Sequence, residues 1–330
     1  VEYRKIITPQ EKENKRQQER ANYRTVKVNE LVDSRTDVSL DGTWLFMPEY
    51  QLDDKDKAIS VATDDKNWHV MSVPNFWNPI RIWLHGETMP SPTGPQPKGV
   101  SDTYYQQETE RCEGYTFDYR KTKAAWYRQW VELPANVEGK NMALTFDAVS
   151  KVAEIYINGE LAGSHIGMFG EIQVDGSKLL KSGKNLVVVK VVSKTDGSAS
   201  ESGSAAIDFF YSSVRESEKE DGKVSAKSNL LKDIAHGFYG DEPAGIWQPV
   251  KLTITSPLKV ENVFIKPSLD GATFDLTVKN HGTKKNQFNL YTDIVDKETG
   301  SVLYSKLSLQ KLVLNADEEK MFTYNINGLK

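Results

Sequence analysis

Between residues 142 and 192 apolar and polar side chains exchange places at every second position, and a chain patterned this way must fold as sheet. Met142, Leu144 and Phe146 alternate with Ala143, Thr145 and Asp147, which predicts a strand with one buried face. Ala153, Ile155 and Ile157 take one face of the next strand, Glu154 and Tyr156 the other. That strand runs into Asn158-Gly159, the pair that most readily accepts the positive φ angles of a two-residue hairpin. Residues 186–192 are apolar except for Lys190, as befits a central strand covered on both sides. These are expected to be the inner strands of a β-sandwich.

With 330 residues the chain is long enough for two domains, each with its own core. Its net charge of -4 gives no general attraction for nucleic acid or an anionic membrane. No apolar run approaches the roughly 20 residues of a membrane-spanning helix. Cys112 is the single cysteine, so no internal disulfide is expected, and it reads as a structural thiol in a loop. The closest histidines in sequence, His69 and His85, lie sixteen residues apart, with His165, His236 and His281 further off. No metal-ligand spacing results, and no cofactor is expected. The chain opens on Val1 without a leader pattern, as a trimmed or mature product would.

Several short motifs fall in a telling order. They are Ala125-Trp126-Tyr127-Arg128, Leu144-Thr145-Phe146-Asp147-Ala148-Val149, Ile155-Tyr156-Ile157-Asn158-Gly159, Gly183-Lys184-Asn185-Leu186 and Gly245-Ile246-Trp247-Gln248-Pro249-Val250. In order and spacing the set resembles the N-terminal sugar-binding sandwich of glycoside hydrolase family 2, which includes β-galactosidases, β-glucuronidases and β-mannosidases. Leu40-Asp41-Gly42-Thr43-Trp44-Leu45-Phe46 resembles the family's opening strand, whose Gly-x-Trp unit buries the indole between the sheets. Trp68 and Val73-Pro74-Asn75-Phe76-Trp77 match its next landmark, a strand leading into a Val-Pro turn. The resemblance implies an all-β chain: a jelly-roll-type, galactose-binding-like β-sandwich, then an immunoglobulin-like one.

The expected order is a polar N-terminal arm over 1–35, the sugar-binding sandwich over 36–256 and the immunoglobulin-like sandwich over 257–330. The arm centres on the charged run 11–20 and reads as a short solvated helix or a flexible arm, with folded structure starting near Thr36. Prolines at 90, 92, 95 and 97 keep that stretch from being helix or central strand. Aromatics surround it: Trp77, Trp83, Tyr104, Tyr105, Tyr115 and Tyr119. Aromatic faces stack on the apolar faces of sugar rings, so the loop either lines a glycan site, with Trp77 and Trp83 as candidates, or packs on the sandwich by its own aromatics. Residues 194–204 are small and polar and have no means of burying surface. Beyond residue 257, strands are expected over 260–265, 273–278, 288–295, 302–307, 311–314 and 321–326, six where an immunoglobulin-like sandwich needs seven. A closing strand is therefore expected beyond Lys330.

Family enzymes often carry an acidic residue just before the Gly-Ile-Trp turn, which reaches into the neighbouring catalytic barrel to hold substrate hydroxyls. Asp241 and Glu242, with Tyr239 beside them, are the candidates implied here, although their spacing to Gly245 departs from the pattern and a solvated loop carboxylate is the alternative. Retaining hydrolysis needs two carboxylates about 5–5.5 Å apart. The family supplies them from a (β/α)8 barrel of roughly 250 residues, and this chain has no alternating strand–helix pattern. No catalytic residue is therefore assigned to it. The expected role is the non-catalytic N-terminal portion of a retaining glycosidase, shaping the substrate pocket and bracing its own C-terminal barrel. Its partners would be an oligosaccharide or glycoside and that barrel, with homo-oligomer contacts among the roles allowed. The family's habits imply a periplasmic or secreted protein of a glycan-degrading bacterium. A stand-alone carbohydrate-binding or adhesion module is the alternative.

Overall fold

The computed structural model describes residues 8–32, 35–79, 100–193 and 244–328, without the side chains of 100–106 and 307. The first body comprises α1 (Pro9–Arg20), β1 (Val26–Lys27), β2 (Arg35–Ser39), β3 (Gly42–Pro48), α2 (Asp56–Ile59) and β4 (His69–Val73), followed by α3 (Val100–Glu113). It continues through β5 (Ala124–Leu133), β6 (Asn141–Phe146), β7 (Val149–Ser150), β8 (Val152–Ile157), β9 (Glu160–Ile166), β10 (Ile172–Asp175) and β11 (Gly183–Val192). The strands β12 (Gly245–Ile246) and β13 (Val250–Thr255) close it.

Two sheets face one another. One runs β4-β3-β5-β11-β8-β9, with β1 added to β5 in parallel, and the other runs β10-β6-β13-β2. Between them lie Leu40, Trp44, Phe46, Tyr127, Leu144, Phe146, Ile155, Val189 and Leu252, all buried. Each such aliphatic side chain contributes about 1.5–3 kcal/mol by leaving water. Trp44 sits where expected, its Nε1–H donating to the Leu40 carbonyl at 2.7 Å. The Asn158-Gly159 hairpin joins β8 to β9, with φ of 53° and 92° at its two central residues.

The seven-stranded sheet is covered on its outer face as well. Leu186 and Val188 of β11 pack there with Leu45, Met47, Trp68, Trp126 and Tyr23, which accounts for the apolar run Leu186 to Val189 in β11. Trp68 is thus a core residue of the outer layer, outside the space between the sheets. Every residue of β6 is buried, so the expectation of one solvated face is corrected: the small Ala143 and the hydroxyl of Thr145 are tolerated inside the protein.

The folded structure begins well before Thr36. Thr8 caps α1 through a reciprocal box with Glu11, at 3.2 and 2.7 Å. The helix buries no side chain, so no apolar stripe announces it. Polar tethers hold it instead: Arg20 pairs with Asp65 at 2.8 Å, and Lys15 and Arg16 donate to the carbonyls of Gly114 and Asn67. Tyr23 then enters the outer core and accepts the Trp130 amide at 2.9 Å. Residues 8–27 of the expected arm are therefore part of the first body.

The second body contains β14 (Leu258–Pro267), β15 (Gly271–Asn280), β16 (Asn286–Val295), β17 (Val302–Leu314) and β18 (Glu319–Asn327). The sheet β14-β15-β18 and the hairpin β16-β17 enclose Phe274, Leu276, Val278, Leu314, Phe322 and Ile326. Five strands stand where six were expected: 302–307 and 311–314 form one long strand that bends at Lys311, where φ is +54°. Val260, Val263 and Ile265 pair directly with Val278, Leu276 and Phe274 and so share their face. Yet they are 42%, 49% and 51% exposed, because the hairpin does not reach over the β14 edge. The bodies meet where His281 approaches Asp175 at 3.9 Å and Lys178 approaches Asp317 at 3.7 Å.

His69 gives the first body a pH response. Its ring lies between Thr116 Oγ1 and Gln51 Oε1, each at 2.7 Å, and burial, aided by the nearby Arg16 charge, holds it down to about 4 from 6.5. As pH falls below 6.5 the unfolded chain takes the proton first, so stability is lost progressively until the folded state also protonates near 4. On the order of 3 kcal/mol should disappear across that window. Urea unfolding at pH 7 and pH 4.5 should show the loss in the wild type and a smaller one in His69→Gln; equal losses would assign it to other groups.

Candidate functional site

The distinctive end of the first sandwich is built around the return of the chain at Ala244. β4 ends at Val73 and turns through Pro74, after which the Asn75 amide donates to the Ile246 carbonyl at 2.8 Å and the Trp77 amide to the Ala244 carbonyl at 2.9 Å. On the other side, Gly245 and Ile246 pair with Ser150 and Val149. Gly245 is thereby pressed between two segments. Its φ is +141°, and a Cβ there would lie 2.6 Å from the Asn75 carbonyl oxygen and 3.0 Å from the Tyr127 hydroxyl. Only glycine fits.

Extended backbone sends neighbouring side chains to opposite sides, and Phe76 and Trp77 divide in that way. Trp77 points inward. It is 1% exposed, packs on Phe46 with ring centroids 5.8 Å apart, and donates through Nε1 to the Thr122 carbonyl at 3.1 Å. Phe76 points outward and lies parallel to Trp247, at 5.9 Å and 21°. The Trp247 Nε1 donates to the Met168 carbonyl at 3.1 Å, and the Phe169 ring stands perpendicular to the indole at 5.8 Å. Phe169 is 49% exposed.

The backbone beneath Phe76 is held from α3 and the segment after it. Its carbonyl accepts from Arg111 Nη1 at 3.1 Å and from the Tyr115 hydroxyl at 3.0 Å, while Glu108 pairs with Arg111. Tyr115 stacks on Phe117 at 4.9 Å, and burial pushes its phenol well above the usual range. Cys112, expected in a loop, lies in the last turn of α3. It is buried, and desolvation pushes its thiol up to about 12, which keeps it an inert thiol at neutral pH.

Ser193 donates to the Lys123 carbonyl at 2.9 Å, beside the start of β5. Of the residues expected to bind sugar, Trp83, Tyr239, Asp241 and Glu242 lie outside the described residues, as do the side chains of Tyr104 and Tyr105. Trp77 is corrected. Its indole is interior and offers no face to a ligand. The outward aromatics are Phe76, Phe169 and Trp247. Period-two alternation through 75–77 could have identified Phe76; no sequence signal brings Phe169 to the others. Among the described residues no group of histidine, cysteine or carboxylate side chains is arranged to hold a metal ion, and no helix is long and apolar enough to cross a membrane.

Comparison with known proteins agrees with this architecture. Residues 98–226 match the model of the glycosyl hydrolase 2 galactose-binding domain-like family. A putative beta-glucuronidase of Formosa agariphila is 26% identical over 168 residues, 51% of this chain and 16% of that protein. A beta-galactosidase of Thermoanaerobacter pseudethanolicus is 28% identical over 153 residues, 46% of this chain and 16% of its own. The chain thus spans a small part of the curated relatives it matches. Among solved structures, Bacteroides uniformis beta-glucuronidase superposes with a TM-score of 0.55 at 20% identity, over 89% of this chain and 28% of that one. A putative beta-galactosidase from Bacteroides fragilis gives 0.53 at 18% identity, over 89% and 36%. At such identities the likeness is one of fold.

Gly245→Ala should cost about 2–4 kcal/mol, since the left-handed φ and the clash with the Asn75 carbonyl act together. Chemical denaturation measures the loss; a change below about 0.5 kcal/mol would show that the Asn75–Ile246 contact is dispensable.

Proposed function

We propose that this chain, which carries the galactose-binding-like N-terminal domain of glycoside hydrolase family 2, is the non-catalytic N-terminal part of a retaining β-glycosidase. The family match over residues 98–226 carries the proposal. Supporting it, the fold of most of the chain recurs in enzymes described as β-glucuronidase and β-galactosidase. In this reading the first sandwich shapes one wall of a substrate pocket with its aromatic end, and a barrel of the same protein supplies the acid/base and nucleophilic carboxylates. Asp241 and Glu242 are proposed to hold substrate hydroxyls by charge-assisted hydrogen bonds.

The second body is proposed to be immunoglobulin-like. Its sheet β14-β15-β18 and separate hairpin β16-β17 correspond to the A-B-E and C-C′ positions of such a sandwich. The half-exposed Val260, Val263 and Ile265 then mark the face that further strands of the same protein would cover.

The test is hydrolysis of 4-nitrophenyl β-D-glucuronide and β-D-galactoside. The product of the entire coding sequence should cleave one of them with retention, and residues 1–330 alone should cleave neither. Asp241→Ala in that full product should lower kcat/KM by roughly 10- to 100-fold, the worth of one charged hydrogen bond. Turnover by residues 1–330 alone would refute the non-catalytic role, and a coding sequence that stops at Lys330 would refute the parent enzyme.

A further inference from the structure

We propose that the free edge of β14 is a self-association surface, on which two copies of the chain pair antiparallel through residues 262–266 about a two-fold axis at Phe264. The proposal goes beyond the glycosidase reading and does not depend on it.

β14 ends its sheet and is paired with β15 on one side only. The side-chain hydrogen bonds, ion pairs and ring contacts of residues 258–267 all lie within the second body. An open edge offers a row of amides and carbonyls to any strand that can align with it, and folded proteins blunt such edges with charges, proline, bulges, short strands or a covering element. Elsewhere in the protein those devices are in place: β2 carries Arg35 and Asp37, β10 has four residues, and α1 lies along β4. In β14 they stand only at the ends. Lys259 and a bulge at Glu261 protect one end, Lys266 and Pro267 the other. Asn262 to Ile265, between them, carry no charge. Phe264 is 56% exposed, and Val263 and Ile265 are half-exposed.

The occupant follows from what the strand presents. Successive side chains alternate between the faces of a sheet, so residues directly opposite must share a face. Val263 and Ile265 lie on the core side of β14 and Phe264 on the outer side. With Phe264 on the axis, the two Phe264 rings meet outside, while Val263 meets Ile265 of the second copy inside. Cross-strand aromatic and apolar pairs of this kind stabilise antiparallel strands. Asn262 meets Lys266 of the second copy, whose ammonium then lies one residue from Glu261, so opposite charges approach at both ends. An axis at Val263 would instead oppose Asn262 to Phe264. An axis at Ile265 would oppose Val263 to Pro267, which has no N–H to give. A second copy is thus complementary to this edge in polarity and charge, through a pairing that closes on itself. A single strand pair buries less than the roughly 1,200–2,000 Å² of a standard interface, so the association should be reversible and micromolar.

Sedimentation velocity on the product of the entire coding sequence, between about 1 and 100 µM, tests this. The wild type should double its mass across that range. Phe264→Lys, which brings like charges together on the axis, should raise Kd at least about tenfold with an unchanged Tm. Phe264→Ser removes the ring without adding charge and should raise Kd about threefold; it decides the matter if the lysine lowers Tm. Leu269→Lys, at a fully exposed residue of the adjoining turn, should leave Kd within about twofold. A wild type with the same mass as Phe264→Lys at every concentration would overturn the proposal. Equal weakening by Leu269→Lys would mark general apolar attraction and also overturn it. Hydrolysis of the 4-nitrophenyl glycosides decides the glycosidase reading separately, so the two can fail independently.

Discussion

Everything at the distinctive end of the first sandwich depends on how residues 244–247 re-enter it. This short segment is hydrogen-bonded on one side to Asn75 and Trp77 and on the other to Val149 and Ser150. It then delivers β13 between β6 and β2. Without that return the four-stranded sheet would lose a central member, and Leu40 and Asp41 would lose the Val250 backbone to which they bond at 2.8 Å each. Fifty residues separate Ser193 from Ala244, so the closure entropy of a long excursion, a cost that grows only slowly with length, is offset here by the burial of Ile246, Val250, Leu252 and Ile254. The aromatic cluster of Phe76, Trp247 and Phe169 is a by-product of the same geometry.

The outer layer of the seven-stranded sheet obeys a different economy. Arg128 points from β5 into it and is fully buried. Its guanidinium donates to the Ala58 and Ser60 carbonyls at 3.3 and 3.2 Å, lies 5.1 Å from the Trp68 ring centroid and faces Asp65 at 3.9 Å. A buried charge is tolerated when its field is answered; here two carbonyls, an indole face and Asp65 do so, while Nε has no hydrogen-bond partner among the described residues. Asp65 also receives Arg20 and the Trp130 indole, so one carboxylate links α1, the loop before β4 and the face of β5. This is why a helix with no apolar stripe stays attached.

Legibility in the sequence followed the physics of each element. Period-two patterning and Asn158-Gly159 located β8 and its hairpin, because a half-buried strand and a positive-φ turn leave direct marks on residue choice. The glycine at 245 and the tryptophan at 44 were readable as motif members for the same reason: one position admits no side chain, and the other fills the space between two sheets. α1 was not readable as part of the body, since its contacts are polar and distant in sequence. β6 looked amphipathic although both its faces are covered. For Trp77 the sequence leaves a glycan-lining ring and a packed one both open, because composition alone does not say which way a side chain points; its neighbour Phe76 faces out only because the segment 75–77 is pinned in extended form by Ile246 and Ala244.

Amide hydrogen exchange at Asn75 and Trp77 tests the central role of that re-entry most directly. If the return of residues 244–247 closes the sandwich, both amides open only with the whole domain and should exchange as slowly as those of β5 and β11. Exchange at the rate of an exposed loop, with β5 and β11 still protected, would contradict the account: the aromatic end would then open independently of the core and could not serve as a preformed surface.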